Sequence, residues 1–180
     1  MKTAAKVVLP QSRTYPTPHF SVNDNQRRGC SLGAFPVADT PLYTQPYGAI
    51  LFAPEVPCLV VSWHGFANSE QFQDLMDQGL ALYQAEAQRT QPLGWLADTR
   101  SHSAIRTADQ EWLTANWDLR AYLAGIRHVC FVIPDSVVGQ ITINTYSTNA
   151  EASAEHPITT SQHRTLAEAK AELRATLLGQ

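Results

Sequence analysis

The apolar positions of this chain change period several times, and each change marks an element. Two partly β-branched runs, Tyr47 to Ala53 and Cys58 to Gly65, flank Pro54-Glu55-Val56-Pro57, which predicts an antiparallel hairpin. In the second run Leu59, Val61 and Trp63 alternate with Cys58, Val60, Ser62 and His64, so a large apolar face backs a smaller, mixed one. Asn68-Ser69 then offers an N-cap with Glu70 and Gln71 in the first turn. Phe72, Leu75, Met76, Leu80, Tyr83 and Ala87 recur at three- and four-residue steps, which predicts a helix that Pro92 ends.

Leu93 to Ala97 is a short apolar run that breaks into Asp98-Thr99-Arg100 and a polar loop, as a strand does where charged residues stop it. Thr107-Ala108-Asp109-Gln110 has the spacing of a capping box, in which the threonine oxygen accepts from the amide three residues on. Trp112, Ala115, Leu119, Tyr122 and Ile126 come next on one predicted inner face. That leaves Trp117, between Asn116 and Asp118, as the tryptophan expected to be exposed. Gly125 is the expected helix terminator. Val129 to Ile133 is apolar on both faces, as a strand covered by helices on each side must be, and belongs near the middle of a sheet. Residues 135–148 fit a strand by their β-branched content and a helix by the Asp135-Ser136 cap and the Val137, Ile141, Thr145 face; periodicity does not decide. An edge strand is expected at 158–162, then a last helix opened by a Thr165 to Glu168 capping box with Leu166, Ala169, Leu173 and Leu177 inward.

Prolines at 10, 16, 18, 36, 41 and 46 interrupt every periodic run near the start, so residues 1–45 are expected to form an extended arm without long helices or central strands. Val7 to Leu9 or Ser31 to Val37 could add a short edge strand, and the arm could dock on the body or on a second copy in a homodimer. Residues 46–180 form the expected α/β domain: a hairpin, then parallel crossovers, giving a mixed sheet of about five strands packed with about four helices.

Composition narrows the function classes. A hydrophobic fraction of 44% and a charged fraction of 16% over 180 residues describe an ordinary globule with a real core. The formal charge of -3 gives no general attraction for phosphate backbones, and no basic patch beyond Arg27-Arg28 is visible, so nucleic acid is not expected as a partner. No run is long enough to span a bilayer and the first apolar run is too short for a signal-peptide core, so the expected location is the cytoplasm, with no membrane partner. Cys30, Cys58 and Cys130 lack metal-site spacing and read as buried thiols. The six histidines show no ligand pattern, so neither a metal nor another cofactor is expected.

The segments VSWHGFANSEQF at 61–72, WLADTR at 95–100, ADQEWL at 108–113, HVCFVIPD at 128–135 and TLAEAKAEL at 165–173, in this order of elements, resemble the STAS domain of anti-sigma-factor antagonists. They are more similar still to bacterial single-domain proteins described as STAS-like. The resemblance covers Tyr47 to Leu178, tips residues 136–148 towards helix, and implies a non-enzymatic signalling module. It also places Thr107 in the region of the antagonists' phosphorylated serine, although the Asp-Ser-Ser-Gly pattern found there in the family is missing.

Parallel strands at 58–64, 93–97 and 129–133 would finish on one edge, gathering His64, Asp98, Thr99, Arg100 and Ser136 beside the helix starts near Asn68, Thr107 and Asp135. Helix starts favour anions, and Arg100 and Arg106 add positive charge, so the expectation is a small anionic ligand or a protein partner bound around His64, Asp98, Thr99, Arg100, Thr107 and Trp117. Two alternatives stand beside it. Asp98 and Arg100 could be a structural pair, with the first-turn acids already satisfying the helix ends. A small hydrolase-type enzyme could use His64 as base and Asp98 as its orienter, although no nucleophile motif accompanies them.

Overall fold

The computed structural model describes residues 38–102 and 104–179. The part of the expected arm numbered 1–37, with its two candidate edge strands, lies outside the described residues.

One six-stranded sheet organises the domain, with strands β1 Thr40–Gln45, β2 Gly48–Ala53, β3 Cys58–Trp63, β4 Gly94–Asp98, β5 His128–Val132 and β6 Thr159–His163 lying side by side in chain order. The first three are antiparallel neighbours, and β3 to β6 are parallel. β1 is one strand more than expected and comes from residues assigned to the arm. Its proline is tolerated because β1 is an edge strand and the register shifts between Pro41 and Tyr43.

The helices are α1 Ser69–Ala87, α2 Thr107–Trp112, α3 Asp118–Ala124, α4 Val137–Ala152 and α5 Leu166–Leu178. A π-helical turn, Leu113–Trp117, joins α2 to α3 with helical backbone angles at both joins, so the three run on as one rod. Asn68 caps α1 and Thr165 caps α5, each as a full capping box, while Ser136 caps α4 and Gly125 ends α3 at φ 104°. Residues 137–152 are therefore helix. Val137 and Ile141 nevertheless lie on its outer side at 70% and 57% exposure, and the buried face is instead Ile143, Tyr146, Ser147 and Ala150.

The strand alternation sorts side chains into two cores. Leu59, Val61, Trp63, Trp95, Ala97, Val129 and Phe131 point to one face, and Cys58, Val60, Leu96, Cys130 and Val132 to the other. The helices that connect parallel strands, α1, the α2–α3 rod and α4, pack on the first face, and α5 alone supplies Ala169, Leu173 and Leu177 to the second. The chirality of crossovers explains this. Strands added always in one direction with one hand of connection must put every crossover on the same side. Among the described helices α5, which follows β6 and joins no two described strands, covers the opposite face. Among the described residues no helix is long and apolar enough to cross a membrane.

Candidate functional site

The carboxyl ends of β3, β4 and β5 do lie along one edge, since Ser62 pairs with Asp98 and Asp98 with Val132 in parallel register. The predicted residues nevertheless meet only in part. His64 is exposed, and its backbone amide donates to Tyr47 O at 2.9 Å. Among the described residues no hydrogen bond or ion pair joins it to Asp98. Asp98 is held instead by Arg100, whose Nε and Nη2 donate to the two carboxylate oxygens at 2.9 and 2.7 Å, with the Arg100 amide adding a bond of 3.3 Å. This hydrogen-bonded carboxylate raises the guanidinium pKa further. Asp98 and Arg100 thus neutralise each other.

Thr99 is buried and turned inward, its hydroxyl donating to Val132 O at 2.8 Å, so it ties the end of β4 to β5. Thr107 is exposed as the first residue of α2, not as its cap. The N-cap is Arg106, without a side-chain bond, so the expected capping box is absent here. The next acid explains the substitution: Asp109 is buried and accepts from Ser69 Oγ at 2.9 Å and Gln73 Nε2 at 3.2 Å, which spends the helix start on joining α2 to α1. Arg106 itself sits over the exposed ring of Phe66, 5.2 Å from its centroid.

Trp117 is the plainest correction. It is 1% exposed, and its indole donates to Met76 O at 3.2 Å. The π turn is the cause. An i→i+5 turn holds an extra residue and rotates the helix beyond it, so the inner face becomes Leu113, Trp117 and Ala121, while Ala115 and Leu119 face out. The same rotation buries Asp118, which accepts from Tyr146 Oη at 2.9 Å. Burial pushes the Asp118 carboxyl up to about 6, against the opposing pull of the Tyr146 hydrogen bond and of His156.

Beneath the same edge lies a chamber that pattern reading missed. Trp63, Phe72, Trp95, Trp117, Phe131 and Tyr146 form its aromatic walls, with Met76 and Ile105 beside them. Trp95 and Trp117 meet edge to face at 5.2 Å, and Trp63, Phe72 and His102 form a triangle of rings 5.5 to 6.0 Å apart. His102 belongs to the connection after β4 and is 6% exposed, held there by its own amide donating to Thr99 O at 2.9 Å and by a parallel bridge to Gly65. Among the described residues Trp63 Nε1 has no partner, and neither ring nitrogen of His102 makes a hydrogen bond of good geometry, although the Gly65 backbone lies close enough to favour the ring's proton. Desolvation lowers the His102 pKa, which favours the neutral ring. An unpaired buried polar group costs about 1–3 kcal/mol, so these nitrogens are the costly feature of the chamber's walls. The chamber leaves about 20 Å³ for the centre of a water molecule, room for a guest of that size without movement. The sequence signal that could have found it is a lone histidine, His102, inside the polar loop that succeeds the strand carrying Trp95.

A second polar cluster lies on the α5 side. Ser161 Oγ stands 3.0 Å from His128 Nε2 and 3.1 Å from His163 Nε2, with Glu172 3.3 Å from His163. Serine and carboxylate approach the same nitrogen of His163, which is not the arrangement of a nucleophile relay, where they take opposite nitrogens. Among the described residues no group of three or more histidines, cysteines or acids is placed to hold a metal ion.

Fold and site together define an α/β domain with one-sided crossovers and an internal aromatic chamber at the carboxyl edge of its parallel strands. Compared with known proteins, the chain matches no family model, no curated protein and no solved structure.

Proposed function

We propose that this chain is a non-enzymatic binding module of regulatory or signalling type whose ligand occupies the chamber beneath the carboxyl ends of β3, β4 and β5. The observation that carries the reading is the set of unpartnered nitrogens on His102 and Trp63 inside an aromatic enclosure. The non-enzymatic character agrees with the resemblance to STAS domains and with a rim where Asp98 is occupied by Arg100 and stands unbonded to His64. The geometry favours a neutral ligand over the anion expected from Arg100 and Thr107, because Arg100 is already paired and among the described residues no Lys or Arg lines the chamber.

The test is an NMR titration that tracks the indole N–H signals of Trp63, Trp95 and Trp117. The panel contains small neutral aromatics and alcohols, together with benzoate and inorganic phosphate. A neutral compound should shift the Trp63 indole while phosphate leaves it unmoved. A panel that moves none of the three indoles, or phosphate binding with shifts confined to Arg100 and Arg106, would refute the placement.

A further inference from the structure

The outward side of α4 is unlike those of the other helices. From Val137 to Ala150 it carries no charged residue, whereas α1, the α2–α3 rod and α5 expose Glu70, Arg120 and Glu172. A soluble surface is normally about 25–35% charged, so this bare stretch is an exception. Val137, Val138 and Ile141 stand 70%, 62% and 57% exposed, and Thr145 and Asn149 continue the stripe from Ile141 at four-residue steps.

Beside this ridge runs a groove. α4 packs on the π-helical turn, and Thr107, Thr114 and Ala115 of the rod, with Thr145 and Asn149 of α4, line a cleft of about 380 Å³. Glu111 is the one charge among the described residues that line it. A ridge and a groove side by side on one face are self-complementary, because a two-fold axis sets each copy's ridge into the other's groove. Charge points the same way: a lone acid repels a nucleic-acid backbone or an anionic lipid surface and offers a charged protein a single contact. α4 has 16 residues, about 24 Å of length, and with the rod alongside it presents a face about 20 Å wide, or about 500 Å² in projection. The accessible area of a ridged surface exceeds its projection, so the face is of the order of the roughly 800 Å² that each partner buries in a stable pair.

We propose that two copies of this chain pair through the α4 face about a two-fold axis, the ridge of Val138 and Ile141 on each seated in the α4–rod groove of the other. This pairing is independent of what the chamber holds.

Sedimentation equilibrium of the full chain between about 1 and 200 µM tests it. The variants are Ile141→Glu and Val138→Glu on the ridge and Leu123→Glu as a control, since Leu123 is exposed on the α1 side of the rod; each is checked for folding by circular dichroism. The native chain should reach a dimer within that range. Either ridge variant should weaken pairing at least about tenfold, because its charge enters the contact without a partner, while Leu123→Glu stays within about threefold. A native chain still monomeric at about 200 µM overturns the proposal. So does a dimer that ignores both ridge substitutions, or one that Leu123→Glu dissociates equally. A monomer that sediments with neutral phosphatidylcholine vesicles, and loses this in Ile141→Glu, assigns the face to lipid and overturns the second copy. Should the variants fail to fold, methyl NMR of the native chain decides: Val138 and Ile141 signals should shift with concentration while Leu123 stays fixed, and stationary ridge signals overturn the placement.

Discussion

Replacing Asp118 with asparagine isolates a buried acid that supports the chamber wall through Tyr146. Asp118 is 2% exposed, and its carboxyl titrates near about 6 in place of 3.8 because burial removes its water. A folded pKa above the unfolded one means that the folded protein holds this proton more tightly. The resulting stability is fully present below the unfolded value of 3.8 and is lost as pH rises through about 6. At one tenfold step per pKa unit, the difference corresponds to about 3 kcal/mol of charge burial above about pH 7. Asp118→Asn removes the charge, keeps the shape, and retains a carbonyl that accepts from the Tyr146 hydroxyl. The variant should therefore be more stable than the native chain by about 1–3 kcal/mol near pH 8, with the gap closing towards pH 4. Urea unfolding at fixed pH between those limits, read by tryptophan fluorescence, measures both stabilities. Titrating groups that do not act on Asp118 are common to the two proteins and cancel, so the difference reads Asp118 together with its coupling to His156 and Tyr146. A variant no more stable than native near pH 8, or a gap that ignores pH, would show that Asp118 is not held as an acid in a dry site.

Two further substitutions probe the walls and the rim. A Cβ added at Gly79 would lie 2.7 Å from Cη2 of Trp95, which is itself 1% exposed, so Gly79→Ala should destabilise by about 1 kcal/mol or more despite the helix propensity it gains. Urea unfolding reads this directly, and a stabilised variant would mean that Trp95 moves freely. Arg100→Ala removes an ion pair whose arginine side chain is 50% exposed, so it should cost no more than about 1 kcal/mol and leave the response of the Trp63 indole to the neutral panel unchanged. Loss of ligand binding in that variant would return the site to the rim.

Much of the fold was legible because its signals are local. The N-cap at Asn68, the capping box at Thr165, the alternation Leu59, Val61, Trp63 and the two-sided apolar run of β5 each depend on a few neighbouring residues and each appears, although β5 lies beside the edge strand β6 and not near the middle of the sheet. Residues 40–45 were hidden by Pro41, because proline argues against a central strand but permits an edge one. Residues 135–148 were ambiguous because their β-branched content suits a strand while the Asp135-Ser136 cap and the Val137, Ile141, Thr145 face suit a helix, and that face proves to be the exposed one. The site was less legible. Thr107 has the spacing of a cap, but tertiary contacts gave the helix start to Asp109, whose partners Ser69 and Gln73 lie about forty positions back in the chain.

The reason the expected rim residues meet only in part is geometric. Strand ends make a crevice where neighbouring crossovers leave on opposite faces of a sheet, because the two connections then diverge. Here strand order never reverses, and α1, the α2–α3 rod and α4 all leave towards one face, so nothing opens between Asp98 and Arg100 and the two close on each other. The space that three crossovers on one face do create lies inside that layer, where aromatic rings from the sheet meet the rod. The π turn brings Trp117 and Asp118 into that layer by adding one residue to the turn, a shift that a fixed period of 3.6 cannot register. The same turn that defeated the exposure argument for Trp117 therefore supplies two walls of the chamber, one directly and one through Tyr146.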